Sequence, residues 1–90
     1  MGLKQIKMTD PSPRQLIRAE LINWFAMLRD GDTVTTDECV KRVNRQLQNN
    51  GHHKRPPETI KRYMRELRTD GTIDYVFVGP KSKKSIRVVK

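Results

Sequence analysis

The sequence has one cysteine, few aromatic residues and no long hydrophobic run among its 90 residues. A single cysteine, Cys39, excludes an internal disulfide, so we expect a reducing, intracellular setting. No apolar stretch approaches the roughly 20 residues that cross a bilayer, and the start lacks the hydrophobic region of a signal peptide. We therefore expect a cytoplasmic protein, associated with the nucleoid if its source is bacterial, and no membrane partner.

Residues that commonly carry catalysis or bind metals are also scarce. His52 and His53 are adjacent, and Cys39 has no evident base to activate it. Zinc needs about four ligands at a recognisable spacing, which a histidine pair and one distant thiol do not supply. The segment 79–82 has fragments of a phosphate-binding loop without its glycine spacing or its following helix. We expect neither an enzyme nor a bound metal or cofactor, and no small-molecule ligand is evident.

Positive charge is in excess, and it is concentrated in two segments. The net charge is +9. Residues 54–68 carry six basic and two acidic side chains, and residues 81–90 carry five basic and no acidic ones. The rest of the chain is balanced, with eight of each sign. Sorting of this kind is typical of a surface that binds a polyanion.

Three helices are predicted from their start signals and apolar spacing. Ser12 begins a helix over about 13–29, with a capping box and a proline at the first helical position. Thr35 repeats the capping box for a helix over about 36–48. Prolines open a third helix over about 57–69, and a glycine closes it. The apolar residues expected to face the core in the first two helices are Ile17, Leu21, Trp24, Phe25, Leu28, Cys39 or Val40, Val43 and Leu47.

The third helix has an apolar side and a basic side. At about 100° per residue, one stripe contains apolar residues and the opposite side contains cations. The side chains expected inside are Ile60, Tyr63, Met64 and Leu67, and those expected outside are Lys61, Arg62 and Arg65, flanked by Arg68. In an alternative interpretation the outer side is only solvated, and Glu58, Arg62 and Glu66 pair at i,i+4 spacing.

Strand signals follow the third helix. Residues 72–78 and 85–89 are rich in β-branched and aromatic residues and are predicted to form a β-hairpin. Its tip, residues 79–84, contains three lysines. A short strand is also predicted at residues 33–35.

The order helix, short strand, helix, basic helix, hairpin is similar to that of winged helix-turn-helix proteins. The run from Glu58 to Ile73 resembles their third helix and first wing strand, and residues 82–89 resemble the basic wing and last strand of small bacterial and phage-type repressors. The resemblance covers roughly residues 13–90 and leaves residues 1–12 as an N-terminal arm. It implies an α+β fold of three helices and a small antiparallel sheet. One departure is the long connection over residues 49–57, since the plain motif uses three or four residues.

The resemblance implies binding to double-stranded DNA, with the third helix in the major groove and the wing, residues 79–85, on the backbone or minor groove. It suggests a transcriptional regulator or a DNA-binding factor of a phage or mobile element. The connection before the third helix is expected to be a flexible, phosphate-contacting loop. The residues expected to contact DNA are Lys54, Arg55, Glu58, Thr59, Lys61, Arg62, Arg65, Arg68, Lys81, Ser82, Lys83 and Lys84.

Two other functions remain open at this point. The basic surface is also suited to an acidic protein partner. RNA is less favoured, because single-stranded recognition usually uses exposed aromatic side chains, and Tyr63, Tyr75 and Phe77 are expected to be inward-facing or held in strands. A homodimer is a further option, with Leu3, Ile6, Met8 and the first helix as the spare apolar material.

Overall fold

The structure is a computed structural model that describes residues 12–80 and 84–90. It contains α1 (Pro13–Met27), β1 (Thr33–Thr35), α2 (Thr36–Asn49), α3 (Pro57–Thr69), β2 (Tyr75–Val78) and β3 (Ser85–Val88). The predicted α+β class, with three helices and a small antiparallel sheet, is confirmed, and the layout is compatible with a winged helix. The predicted N-terminal arm up to residue 11, and Lys81, Ser82 and Lys83 of the hairpin tip, lie outside the described residues.

Local side-chain chemistry sets where the first two helices begin. The Ser12 hydroxyl accepts the Gln15 N–H at 3.2 Å, and the Gln15 side chain accepts the Ser12 N–H at 3.0 Å. Thr35 and Glu38 form the same reciprocal pair at 3.1 and 2.8 Å. Each capping box satisfies two backbone donors that have no partner within the helix. Both predicted capping boxes are therefore confirmed.

The sheet has the strand order β1-β3-β2, with both pairs antiparallel. Val34, Ile86 and Phe77 lie opposite one another in a single row across the three strands. Val34 and Ile86 are buried beneath the helices, whereas Phe77, on the edge strand β2, is 62% exposed. The core-facing row thus extends beyond the helices at its β2 end, which leaves a large aromatic side chain exposed beside α3.

All three helices and the sheet share one hydrophobic core. Ile60, Met64 and Leu67 of α3 are each at most 1% exposed, so the predicted apolar side of this helix is confirmed for these three residues. Burial of that much apolar surface fixes the rotation of α3 about its axis. The other fully buried core residues are Ile17, Leu21, Cys39, Val43, Leu47, Tyr75, Ile86 and Val88.

Trp24 was expected inside the core, and the structure instead has it at the edge of the core, packed against the buried cluster. The indole is only partly buried, and the Arg42 guanidinium stacks on its ring at 4.1 Å from the centroid. The Arg42 Nε also donates to Glu20 of α1 at 3.1 Å. Leu28 and Tyr63 are likewise only partly buried.

Within residues 12–80 and 84–90, no helix combines the length and hydropathy that crossing a bilayer requires.

The capping box of α2 provides a test of how this helix begins. Thr35→Ala removes the acceptor for the Glu38 N–H and is expected to lower the free energy of unfolding by about 1 kcal/mol. Thr33→Ala, in the same strand β1, removes a β-branched residue without touching the cap and is the matched control. The difference between the two variants in urea unfolding, followed by circular dichroism, isolates the contribution of the cap. Equal losses would show that the cap contributes nothing.

Candidate nucleic-acid interface

The outer side of α3 carries exposed charge, as its spacing predicts. Glu58, Arg62 and Arg65 are exposed, whereas Thr59 is partly buried. Lys61 departs from the prediction, because its side chain is only 16% exposed and lies on the flank of α3 that faces the hairpin. The helix therefore presents two arginines outward and one lysine sideways.

The groove between α3 and the hairpin, called here the α3–hairpin groove, brings together cations from both basic segments of the chain. Lys61 and Arg65 line it from α3, and Lys84 lines it from the hairpin. Its volume is about 520 Å³, and its apolar surface includes Met64 and Phe77. Among the described residues that line it there is no carboxylate.

The backbone of Lys84 is held next to the start of α2. Its carbonyl oxygen accepts the Thr36 N–H at 3.1 Å. Lys84 also adopts a φ of +49°, in the left-handed region that residues other than glycine seldom occupy. This conformation and the hydrogen bond together define where the Lys84 side chain leaves the hairpin.

Lys84 is close enough to Lys61 to affect its charge. The pKa of Lys61 is lowered below its usual range, first by direct side-chain contact with Lys84, then by desolvation on burial, and then by Coulomb repulsion from Lys84. Glu58, whose Oε2 lies 3.9 Å from the Lys61 Nζ, and Asp37 oppose the shift without cancelling it. Two ammonium groups therefore share a site whose positive charge is not balanced locally.

A second groove lies between α2 and the connection to α3, with a volume of about 680 Å³. Pro57 lines this groove and Lys61 lines the other. These two residues are one turn apart on α3, so the grooves are neighbours. The cations that line the second groove are Lys41, Arg45, Lys54 and Arg55.

Asn44 fixes the connection between α2 and α3, a role that its sequence position did not reveal. Its Nδ2 donates to the Arg55 carbonyl oxygen at 3.0 Å, and its Oδ1 accepts the Arg55 N–H at 2.8 Å. The Arg55 Nη1 donates in turn to the His53 carbonyl oxygen at 3.0 Å. Asn44 itself is only 8% exposed. The segment predicted as a flexible loop is thus tied to α2 at Arg55.

The i,i+4 ladder of the alternative interpretation is absent from the ion pairs of the described residues. Glu58 lies next to Lys61, and Glu66 lies 4.0 Å from Arg18 of α1. The Arg62 guanidinium instead lies 5.6 Å from the Tyr63 ring centroid. The two arginines therefore differ in their surroundings, with Arg65 in the α3–hairpin groove and Arg62 beside Tyr63.

Arg68 holds α3 against the hairpin, so its predicted contact with DNA competes with contacts inside the domain. Its Nε lies 3.7 Å from Asp74 Oδ1, and its guanidinium lies 5.0 Å from the Tyr75 ring centroid.

Cys39 and the histidine pair do not converge on a metal centre. Cys39 is fully buried, and desolvation raises the pKa of its thiol to about 11, so the thiol stays protonated at neutral pH. Across the ranges 12–80 and 84–90, no group of three or more histidine, cysteine, aspartate or glutamate side chains is placed to hold a metal ion.

Of the residues predicted to contact DNA, the nine that the structure describes divide into three groups. Lys61, Arg65 and Lys84 converge on one groove, and Lys54 and Arg55 lie in the neighbouring one. Glu58, Thr59, Arg62 and Arg68 lie on α3 outside both grooves. Lys41 and Arg45 of α2 also line the second groove; their i,i+4 spacing on α2 was the signal available in the sequence.

No protein-family model, curated protein or solved structure matches this chain.

The contact between Lys61 and Lys84 predicts a specific titration. The pKa of Lys61 is lower in the folded than in the unfolded chain, so the repulsion between Lys61 and Lys84 destabilises the fold at neutral pH. Stability is then expected to rise with pH between that lowered pKa and the ordinary lysine value of about 10.4. Lys84→Gln is expected to raise the Lys61 pKa, measured by NMR of the lysine side-chain methylenes.

Arg87→Gln is the matched control, because Arg87 is exposed between buried Ile86 and Val88 and so lies on the other side of the sheet. A Lys61 pKa that moves equally in both variants would contradict a local contact with Lys84.

Proposed function

We propose that this chain is a winged helix-turn-helix domain that binds double-stranded DNA. The observation that supports the proposal most is the meeting of Lys61 and Arg65 with Lys84 in the α3–hairpin groove. These residues come from the two segments that together account for the whole net charge. A duplex carries about one phosphate charge per 1.7 Å, so a surface with concentrated, unbalanced cations is suited to it.

The arrangement of elements supports the winged-helix assignment. The described part of the chain forms three helices, with β1 between the first two and a hairpin directly after the third. The sheet order β1-β3-β2 places the hairpin beside α3. Under this proposal the hairpin is the wing, and its tip, residues 79–84, approaches the DNA backbone or minor groove.

The outer side of α3 is suited to the major groove. Thirteen residues make a helix about 20 Å long at roughly 1.5 Å per residue. Arg62 and Arg65 are exposed on it, and an arginine can donate two hydrogen bonds to the O6 and N7 of guanine. Since the two side chains have different surroundings, they are expected to read different base pairs. Glu58 is close to both in sequence and can accept from the amino group of cytosine.

The cations in the two neighbouring grooves are suited to the phosphates. Lys84 lies in one groove, and Lys54 and Arg55 lie in the other, with Lys41 and Arg45 of α2. Contacts with phosphate position a protein on the duplex without reading its sequence. The two hydrogen bonds between the Asn44 amide and the Arg55 backbone hold this backbone in place in the free protein, so less conformational entropy is lost on binding.

A domain of this kind acts by occupying a DNA site. This is consistent with a transcriptional regulator or with a DNA-binding factor of a phage or mobile element. The alternative partner is an acidic protein, for which the same cations are available. The two partners are distinguished by whether any duplex is bound at low salt.

The electrostatic part of the proposal predicts a steep salt dependence. If roughly five phosphates are neutralised, the slope of log K against log salt is about −4.5. Affinity is then expected to fall by several hundred-fold between about 50 and 200 mM salt, measured by fluorescence anisotropy with a labelled duplex. A flat salt dependence would remove the electrostatic basis of the proposal.

The role of α3 in reading sequence is tested by Arg65→Gln. With a duplex selected from a random library, the variant is expected to lose about 1–3 kcal/mol of binding free energy and to discriminate less at one base pair. Arg87→Gln removes the same charge from the opposite face of the sheet, where screening weakens its influence. Equal losses in both variants, with base preference unchanged, would contradict base reading by α3.

A further inference from the structure

The exposed Phe77 ring is a feature that binding to duplex phosphates does not use. Phe77 is 62% exposed on β2, on the edge of the sheet that lies beside α3. Its ring meets the buried Tyr75 ring at 84°, with centroids 5.8 Å apart. This edge-to-face contact fixes the orientation of Phe77. The domain therefore holds an aromatic surface open to solvent, at a cost in unburied apolar area.

The surroundings of Phe77 define the chemistry of a ligand. The ring lies in the α3–hairpin groove, whose volume of about 520 Å³ falls within the range of roughly 300–1,000 Å³ typical of small-molecule sites. Met64 adds apolar surface, and Lys61, Arg65 and Lys84 supply positive charge. A ligand suited to this groove has a flat apolar part and an anionic part close to it.

The repulsion between Lys61 and Lys84 indicates where the anionic part binds. The pKa of Lys61 is lowered by Lys84, and Glu58 and Asp37 compensate this only in part. An anion placed between the two ammonium groups would relieve the repulsion that the free protein carries.

We propose that the α3–hairpin groove binds one unpaired nucleotide, with its base stacked on Phe77 and its phosphate between Lys61 and Lys84. The base must be unpaired because the bases of an intact duplex are stacked on one another and cannot reach the ring. Aromatic rings beside a cationic groove are the usual means of holding single-stranded nucleic acid. An acidic peptide matches the charge, but the groove offers a planar ring where a nucleobase can stack.

This inference rests on the proposed DNA binding and adds to it a preference for one kind of DNA end. A duplex that ends in an unpaired nucleotide can contact the outer side of α3 with its paired part and the α3–hairpin groove with its end. The domain is then expected to prefer a junction between double and single strands over a blunt end.

The test compares four labelled duplexes of one sequence by fluorescence anisotropy: blunt, with a one-nucleotide overhang, with a five-nucleotide overhang, and with a one-nucleotide overhang that lacks its base. Each of the three duplex types with an overhang is made with both polarities of the overhang. The wild type is expected to bind the one-nucleotide overhang roughly 5- to 150-fold more tightly than the abasic overhang. The five-nucleotide overhang is expected to add little beyond its extra phosphates.

Three variants identify the source of the preference. Phe77→Leu keeps an apolar side chain but removes the ring, and it is expected to bind the overhang and its abasic form equally while its affinity for the blunt duplex is retained. Phe77→Trp keeps the preference, and its indole fluorescence is expected to be quenched by the stacked base. Val76→Ala, on the neighbouring position of β2, controls for loss of hairpin stability, and thermal unfolding verifies that each variant is folded.

The outcomes separate this inference from the proposed function. Equal binding of blunt, overhang and abasic duplexes by the wild type overturns the nucleotide site and leaves duplex binding in place. A preference that survives Phe77→Leu also overturns it, because the ring is then not the contact. Absence of binding to every duplex at low salt overturns both. A synthetic peptide of alternating glutamate and leucine tests the remaining occupant. If it binds in a way that depends on Phe77, and the duplexes show no base-dependent preference, the groove is assigned to an acidic protein and the nucleotide site is overturned.

Discussion

The packing of one side of α3 into the core is the constraint on which the rest of the structure depends. Ile60, Met64 and Leu67 are almost completely buried, and exposing them would cost several kcal/mol at about 25 cal/mol per Å². Their burial sets the rotation of the helix, so Arg62 and Arg65 must point outward and Lys61 must lie on the flank. The charged surface is therefore a consequence of apolar packing, and no ion pair is needed to create it.

The hairpin is brought to that helix by the sheet. Because β3 pairs with both β1 and β2, the start of α2 and the base of the hairpin are held together, and the hydrogen bond from the Thr36 N–H to the Lys84 carbonyl oxygen completes the link. Lys84 thereby arrives next to Lys61 although each repels the other. The core tolerates this local cost, and a site with unbalanced charge is the result. Sites that are electrostatically strained when empty are suited to a ligand of opposite charge.

Phe77 and Asn44 depart in opposite ways from the usual pattern of buried apolar and exposed polar side chains. Phe77 belongs to the core-facing row of the sheet, yet the row extends past the helices and leaves the ring exposed. Asn44 is polar, yet it is buried because its amide satisfies both backbone groups of Arg55, which removes the usual penalty for burying it. Phe77 provides a candidate contact for a base, and Asn44 positions cations beside α3.

The sequence by itself determined the helices, the short strand, the hairpin and the buried side of α3, because capping boxes, prolines and apolar periodicity act between residues close in the chain. It also determined that positive charge lies in two segments. Only the tertiary structure decided that Lys61 faces Lys84, that Asn44 holds Arg55, that Arg42 stacks on Trp24 at the edge of the core, and that Phe77 is exposed. Each of these depends on how separate elements pack and on where the sheet extends past the helices, and local propensity carries no information about either.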